Sequence, residues 1–392
     1  VTWQLLARMP DRSIGGFLRS WSATLAMRVN EVGSWTLSIP PEETPEGWPA
    51  PGAGVIFLRD GEVVASGMLD ERSFAWSADP GDEAEGPGLY SLAGDTDLGR
   101  LGYRIVYPTP SVAWADQPND SATNPRAGYF VYGPDEAEEV LRVTVNWQAG
   151  SLALATRRVA GLRLGTSTGA GTQVTIRERF TPLLDALRTV ALAGGGLVFD
   201  VRDNLNGAME FVVRAPADKS RTARFGVELG NVRTLSVSSV SATATAALVA
   251  GQGDLAAREL VEFYVAGERR EVFVDQRQVD STETADARYA EYLKAASEVL
   301  AASGEQTAVS ALIQDTPTVR WRRDFDLGDK VAVTTPFGAV EDLVRQVDVK
   351  IDETGLEEVT SVIGTTQAQT DDPLASTVAA LQRRISYLER AL

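Results

Sequence analysis

The chain contains neither cysteine nor histidine. Disulfides, thiolate nucleophiles and Cys/His zinc sites are therefore excluded, as is any dyad or triad that works through an imidazole. Positive charge is also scarce: 37 Lys and Arg stand against 54 Asp and Glu, a net charge of −17. So acidic a chain repels phosphate backbones, and no basic run offsets the repulsion, so specific nucleic-acid binding is not expected. Passive contact is compatible with it, because an acidic wall lets DNA pass without adhering. No window holds ~18 consecutive apolar residues, so no transmembrane helix is expected. The first residues, VTWQLLARMPDRSIGG, lack the basic flank and apolar core of a signal peptide. Oxygen-ligand metals and carboxylate chemistry are what the composition leaves open.

The 392 residues, 44% hydrophobic and 23% charged, suffice for two or three domains with their own cores. The dominant pattern is that of short strands, a mainly β (α+β) chain. In SWTLSIP, Trp35, Leu37 and Ile39 alternate with Ser34, Thr36 and Ser38, the period of a half-buried strand. Asp60-Gly61 separates two apolar runs, a hairpin signal. Val347, Val349 and Ile351 alternate with Asp348, Lys350 and Asp352. Ala78 to Gly88 and Pro108 to Gly128 read as long polar loops, and loops of that length are usually functional or mobile.

Three internal helices interrupt the strands. Pro134 to Gln148 carries Ala137, Val140, Leu141, Val143 and Val145, although its β-branched end weakens helix propensity. A second helix follows Thr181 as N-cap, with Pro182 at the first helical position. Its apolar face is Leu183, Leu184, Leu187, Val190 and Ala191, and Gly194 to Gly196 stop it. The strands GLVFDV and AMEFVV then flank the turn RDNLNG, giving a small α/β unit. The third helix spans Thr282 to Ser303, with Ala285, Tyr289, Tyr292, Leu293, Ala296, Val299 and Leu300 on one face. Asp280 with Glu283, or Ser281, caps its start, and Gly304 follows its end.

Motifs with chemical potential are few. GTSTGAGT, Gly165 to Thr172, looks like a phosphate loop but has no lysine and opens no helix pattern, so a loop between strands is favoured. GQGD, at 251–254, follows a strand but opens no convincing helix, and so fails as a dinucleotide fingerprint. Asp200, Asp203 and Asn206 are spaced somewhat like a calcium loop, but with the wrong ligand spacing and no terminal glutamate; a hairpin turn is favoured. The acids of Asp135 to Glu139 favour a helix start through the dipole and need no catalytic role. No catalytic, cofactor-binding or metal-binding residue is assigned.

The C-terminus poses a different question. After the polar linker GTTQAQTDD, Leu374, Leu381 and Leu388 take d positions of a heptad and Val378, Ile385 and Leu392 take a positions. A helix of about twenty residues with one narrow stripe is marginal alone. A self-associating coiled-coil seam explains it, with docking on its own domain as the alternative. The choice of a and d residues leans toward two strands, but upstream domains can impose three.

Several segments then acquire a common meaning. NEVGSWTLSIP (Asn30–Pro40), DGEVVASGML (Asp60–Leu69), FGVELGNVRTLSVS, AALVAGQGD, ERREVFVDQRQVD and FDLGDKVAV (Phe325–Val333) occur in order between Asn30 and Gly364. In that order they resemble a minor tail protein family of long-tailed, non-contractile phages of actinobacteria. The resemblance implies a hub at the tail tip or baseplate, assembled in the host cytoplasm. It implies two tail-tube-like β-barrel domains with small α/β insertions, in a homotrimer that adapts a six-fold tail tube to three-fold tip components and lines the DNA passage. Expected neighbours are the distal tail and tube proteins above, and tip or fibre proteins and the tape measure. On this basis the chain divides into a barrel-like domain (1–107), a loop and α/β region (108–224), a second barrel-like domain with the helix 282–303 (225–363), and the linker with its coiled coil (364–392). Gly230 and Gly328 read as turn glycines, with Leu327 buried beside the latter.

Two other classes are weighed against the hub. A tail-associated cell-wall hydrolase needs two convergent carboxylates, which no segment announces. A glycan-binding receptor module prefers aromatics in loops, for which Trp114, Tyr129 and Tyr132 are the candidates. No enzyme activity and no cofactor are expected.

Overall fold

The structure, a computed structural model, describes residues 1–78, 88–117, 128–253, 258–265, 267–277, 279, 284–303 and 306–364. The chain forms two compact units. The first combines Val1–Leu235 with Ala311–Gly364, and the second is built on Ser236–Ser310.

Strands dominate the first unit. Trp3–Arg8 lies between Ile14–Leu18 and Gly54–Arg59, and Glu62–Met68 completes this N-terminal sheet. Its last hairpin turns on Asp60 (φ 53°) and Gly61 (φ 85°), the two left-handed residues that an Asp-Gly turn supplies. The larger sheet mixes both ends of the sequence. Ser22–Arg28 pairs with Glu31–Ile39 on one side and with Gly338–Ile351 on the other. Glu357–Gly364 extends it beyond Gly338–Ile351, while Leu89–Asp95 and Glu71–Ala75 extend it beyond Glu31–Ile39. The alternating residues read from the sequence face inward: Trp35, Leu37, Ile39, Val347, Val349 and Ile351 are all buried. Trp35 meets Phe57 edge-on, with centroids 6.2 Å apart, and so joins the two sheets.

The expected barrels are not observed: among the described residues no sheet closes on itself. Two features keep the larger sheet open. Glu71–Ala75 ends it with every residue exposed and charges at Glu71 and Arg72, a poor edge for further pairing. The 14-residue strand Gly338–Ile351 also changes neighbours along its length, pairing first with Lys330–Thr335 and then with Ser22–Arg28.

The α/β segment belongs to the same unit. Helix Ala137–Gln148 packs with helix Leu183–Ala193 over two small sheets, Phe130–Glu136 with Gln173–Glu178, and Leu162–Leu164, Met209–Arg214 and Val198–Asp203. The first helix begins later than its sequence predicts. Asp135 and Glu136 pair with Val174 and Gln173, which holds them extended. Pro182, not Thr181, is the N-cap of the second, because the Thr181 hydroxyl donates to Glu178 Oε2 at 2.7 Å. The predicted apolar face is buried as expected, and Gly194 to Gly196 end the helix, the last two at φ 99° and 78°.

The second unit is a three-stranded sheet, Leu260–Tyr264, Ala246–Ala250 and Glu271–Asp275, with helix Ala285–Ala302 on one face. Tyr292, Ala295 and Ala296 are buried on Ala247, Val249 and Val274. Tyr289 and Leu293, expected on the same face, are 51% and 45% exposed. The capping residues 280–283 and Gly304 lie outside the described residues.

Candidate functional site

The two polar motifs singled out in the sequence meet each other. Glu138, at the start of helix Ala137–Gln148, is fully buried against the loop 165–172. Thr168 N–H donates to its two oxygens at 2.9 and 3.1 Å, the Thr168 hydroxyl at 2.7 Å and Ala170 N–H at 2.8 Å. Burial opposes ionisation of Glu138, but these donors outweigh it and hold its carboxyl below the ordinary value. The glycine-rich loop thus does cradle an anion, and the anion is its own protein's carboxylate. The neighbouring acids disperse: Asp135 accepts from the Tyr132 hydroxyl at 2.9 Å, and Glu139 pairs with Arg142 at 3.3 Å. Asp200 lies within the hairpin strand Val198–Asp203 and Asp203 ends it at the turn, as favoured, and among the described residues no group of three acids is placed to hold a metal.

A buried charge cluster forms the polar centre of the first unit. Arg8 binds Asp97 through both terminal nitrogens, at 2.5 and 2.7 Å, a bidentate pair. It also donates to Gly67 O at 2.9 Å and to Asp203 Oδ2 at 3.3 Å. The Ser66 hydroxyl donates to Asp97 at 2.6 Å and accepts from the Asp203 N–H at 3.1 Å. Arg100 and Arg12 reach Asp97 and Asp203 from the rim, at 3.2 and 3.4 Å. Arg8 and Asp97 are almost wholly buried. Burial opposes both charges, yet the Arg8 hydrogen bonds and charge hold Asp97 below its ordinary value, and Asp97 in turn holds Arg8 above its own. Gly67 is required here for space, since a Cβ would strike the Trp35 indole and Asp95 O. The cluster ties the N-terminal sheet, the segment before helix Gly99–Gly102, and the α/β segment. Sequence reasoning missed it because residues 8, 97 and 203 share no spacing; the one available signal was an arginine ending an apolar strand.

A second clasp joins residues far apart in sequence. Arg59 holds Glu357 at 2.6 and 2.9 Å, and Trp3 Nε1 donates to the same carboxylate at 2.7 Å. The Arg59 guanidinium also lies over the Trp321 ring, 5.3 Å from its centroid. The nearby turn uses Gly328 at φ 82°, and Gly230 adopts φ 68°, as their positions suggested, although Leu327 is only half-buried.

The aromatics proposed for glycan contact go to different places. Tyr129 lies under Arg177, 4.4 Å from the guanidinium, and Tyr132 is held by Asp135. Trp114 instead joins Tyr107 and Phe180, with centroids 6.3 and 5.5 Å away, and is 64% exposed. Phe180 has a left-handed backbone (φ 55°), a conformation that costs a non-glycine residue roughly 1–2 kcal/mol. The seam residues Leu374, Val378, Leu381, Ile385, Leu388 and Leu392 lie outside the described residues.

These features define a β scaffold braced by internal ion pairs, in which the polar groups serve the fold. The chain belongs to the Siphovirus ReqiPepy6 Gp37-like protein family, whose model matches residues 12–365. This is a family of siphovirus tail proteins, and its place is the virion tail, as a structural component. No curated protein matches the chain. Among solved structures it is similar to the 43 kDa tail protein of prophage MuSo2 from Shewanella oneidensis (10% identity, 92% of this chain and 98% of that one, TM-score 0.49). It is similar also to a tail protein from Neisseria meningitidis MC58 (13%, 94% and 98%, 0.48) and to prophage tail protein gp18 from Listeria monocytogenes EGD-e (10%, 98% and 99%, 0.48). Among the described residues no helix is long and apolar enough to cross a membrane.

Proposed function

We propose that the chain is the hub of the tail tip: a homotrimeric ring beneath the tail tube, without catalytic activity, that adapts the tube to three-fold tip components and surrounds the passage for DNA. The observation that carries this reading is the family match over residues 12–365. The net charge of −17 suits a channel wall that DNA must not adhere to. On this reading the distal tail and tube proteins lie above, and tip or fibre proteins and the tape measure below. The terminal helices of three copies wind together on the tail axis. Reconstruction of the intact virion tests it. Three copies at the junction between tube and tip are expected; a six-copy ring, or a stable dimer elsewhere in the tail, overturns it. Release of sugars or peptides from host cell-wall fragments by the purified protein, lost on changing one acidic residue, overturns the non-catalytic part.

A further inference from the structure

The chain holds seven asparagines, and Asn206 alone precedes a glycine. The other four that the structure describes are engaged through their side chains. Asn30 accepts from Phe199 N–H and donates to Leu197 O, both at 2.8 Å. Asn231 accepts from Gly226 N–H and donates to Arg224 O, both at 3.0 Å. Asn146 accepts from Ser151 N–H at 3.1 Å, and Asn204 donates to Glu210 at 3.0 Å while accepting from Asn206 N–H at 3.0 Å. Each is followed by a residue whose side chain crowds the next backbone nitrogen: Glu31, Val232, Trp147 and Leu205. Asn206 differs on every count. It is exposed in the turn between strands Val198–Asp203 and Met209–Arg214. Among the described residues neither its side-chain amide nor the Gly207 N–H makes a hydrogen bond. Gly207 stands at φ 74°, and without a Cβ its nitrogen is open to approach.

We infer that Asn206 is a self-modification site, at which the chain's own Gly207 nitrogen is the nucleophile and water the co-reactant. Gly207 N gives its proton to solvent and bonds to Asn206 Cγ. The Cγ–Nδ2 bond breaks, and the amide nitrogen leaves as ammonia with a proton from water. The resulting succinimide takes up water. Opening at Cγ gives aspartate; opening at the backbone carbonyl gives isoaspartate, whose main chain runs through Cβ and Cγ and is one carbon longer. Nothing is oxidised or reduced. The place of the turn gives the change a consequence. Arg12 clamps the turn: its Nε donates to Gly207 O at 2.9 Å, and a second nitrogen reaches Asp203 at 3.4 Å. The extra main-chain carbon displaces Gly207 O from Arg12, and the new carboxylate joins a turn that already carries Asp203. Isoaspartate at position 206 therefore releases the clamp at the rim of the Arg8 cluster, irreversibly and at a rate set by time and pH. The reaction needs no partner chain, so it is independent of the hub reading.

The test ages the purified full chain in mildly acidic and mildly alkaline buffer beside a synthetic peptide of residues 203–214, the tryptic fragment that holds Asn204 and Asn206. Peptide mapping by mass spectrometry reads the conversion of amide to acid, and an isoaspartate-specific methyltransferase counts the rearranged product. Conversion confined to Asn206 is expected, faster in alkali, within about tenfold of the free peptide. Gly207→Ala, whose Cβ would lie 3.8 Å from the nearest atom, is expected to slow it at least about tenfold. Asn206→Gln, which would have to close a larger ring at the same exposed position, is expected to stay unconverted. In the isoaspartate fraction the amides of Ala208 and Met209, bonded to Asn204 Oδ1 and Gly161 O, should exchange hydrogen faster. The inference is overturned if the folded chain stays unconverted while the peptide reacts, if Asn30, Asn146, Asn204 or Asn231 converts equally, or if Asn206→Gln converts as the parent does. Conversion to aspartate alone, or unchanged exchange at Ala208 and Met209, overturns the release of the clamp.

Discussion

Arg8 shows how a single residue decides the polarity of a core. Its guanidinium is acceptable in the interior because Asp97, Asp203 and Gly67 O take its donors. Removing one partner leaves the other charge uncompensated, which typically costs 3–5 kcal/mol. Asp97→Asn is therefore expected to lower the unfolding free energy from urea denaturation by an amount in that range. The sign of the pH dependence follows from the direction of the shift. The folded Asp97 carboxyl titrates below its ordinary value near ~3.9, so the unfolded chain binds the proton first as pH falls. Its stabilisation is complete above that ordinary value and is lost as pH falls through the lower folded one. Glu138 and Glu357 act in the same direction. The thermal midpoint should stay level on their account at neutral pH and drop below about pH 4, less steeply in Asp97→Asn. Glu138→Gln keeps the size of the side chain but sets an amide donor against the N–H groups of Thr168 and Ala170. Faster hydrogen exchange at those two amides, with a loss of about 1–3 kcal/mol, is the expected result.

Among the elements, local pattern was most legible where neighbours agree with it. The period-two strands and the Asp60-Gly61 turn needed no tertiary help, so Trp35, Leu37 and Ile39 were placed correctly. The helix starts were displaced by partners distant in sequence: strand pairing with Gln173 and Val174 claims Asp135 and Glu136, and Glu178 claims the Thr181 hydroxyl. The face of helix Ala285–Ala302 was drawn too wide because three strands cover only one stripe of a helix, leaving Tyr289 and Leu293 outside it. The Arg8 cluster and the ring triangle of Tyr107, Trp114 and Phe180 were illegible for the same reason, since no periodicity links their members. Helix Leu183–Ala193 provides a contrast that can be measured. Leu187 is fully buried and Leu192 is 79% exposed. Leu187→Ala should cost about 2–5 kcal/mol, while Leu192→Ala should stay within roughly 0.5 kcal/mol of the parent in urea unfolding.

For the molecule as a whole, the second unit is an excursion from the first. Gln314 N–H donates to Asn231 O at 3.1 Å, so the chain leaves and re-enters the first unit along adjacent backbones. Replacing Ser236–Ser310, which contains no tryptophan, by a two-residue Asn-Gly turn should therefore leave a folded first unit, with an unchanged tryptophan near-ultraviolet signal and the same acid sensitivity. Loss of cooperative unfolding would show that the first unit depends on the excised residues. The assembly reading makes a separate prediction. Replacing Leu381 and Ile385 together by aspartate should leave both units folded but weaken trimers, because charges in so short a seam cost several kcal/mol. Light scattering and tail assembly measure it, and infectious tails formed as well as by the parent would remove the coil from the mechanism.

The clasp between Trp3, Arg59 and Glu357 also bears on how the protein is made. During translation the first strand leaves the ribosome more than 350 residues before the carboxylate that completes its surroundings. The Arg8 guanidinium likewise waits for Asp203. Native contacts so far apart in sequence form slowly, and they leave Arg59 without its carboxylate, and the strand Ser22–Arg28 without its neighbour Gly338–Ile351, for most of synthesis. Chains stalled before Glu357 should thus be cut by protease in their first sixty residues, and completed chains should not.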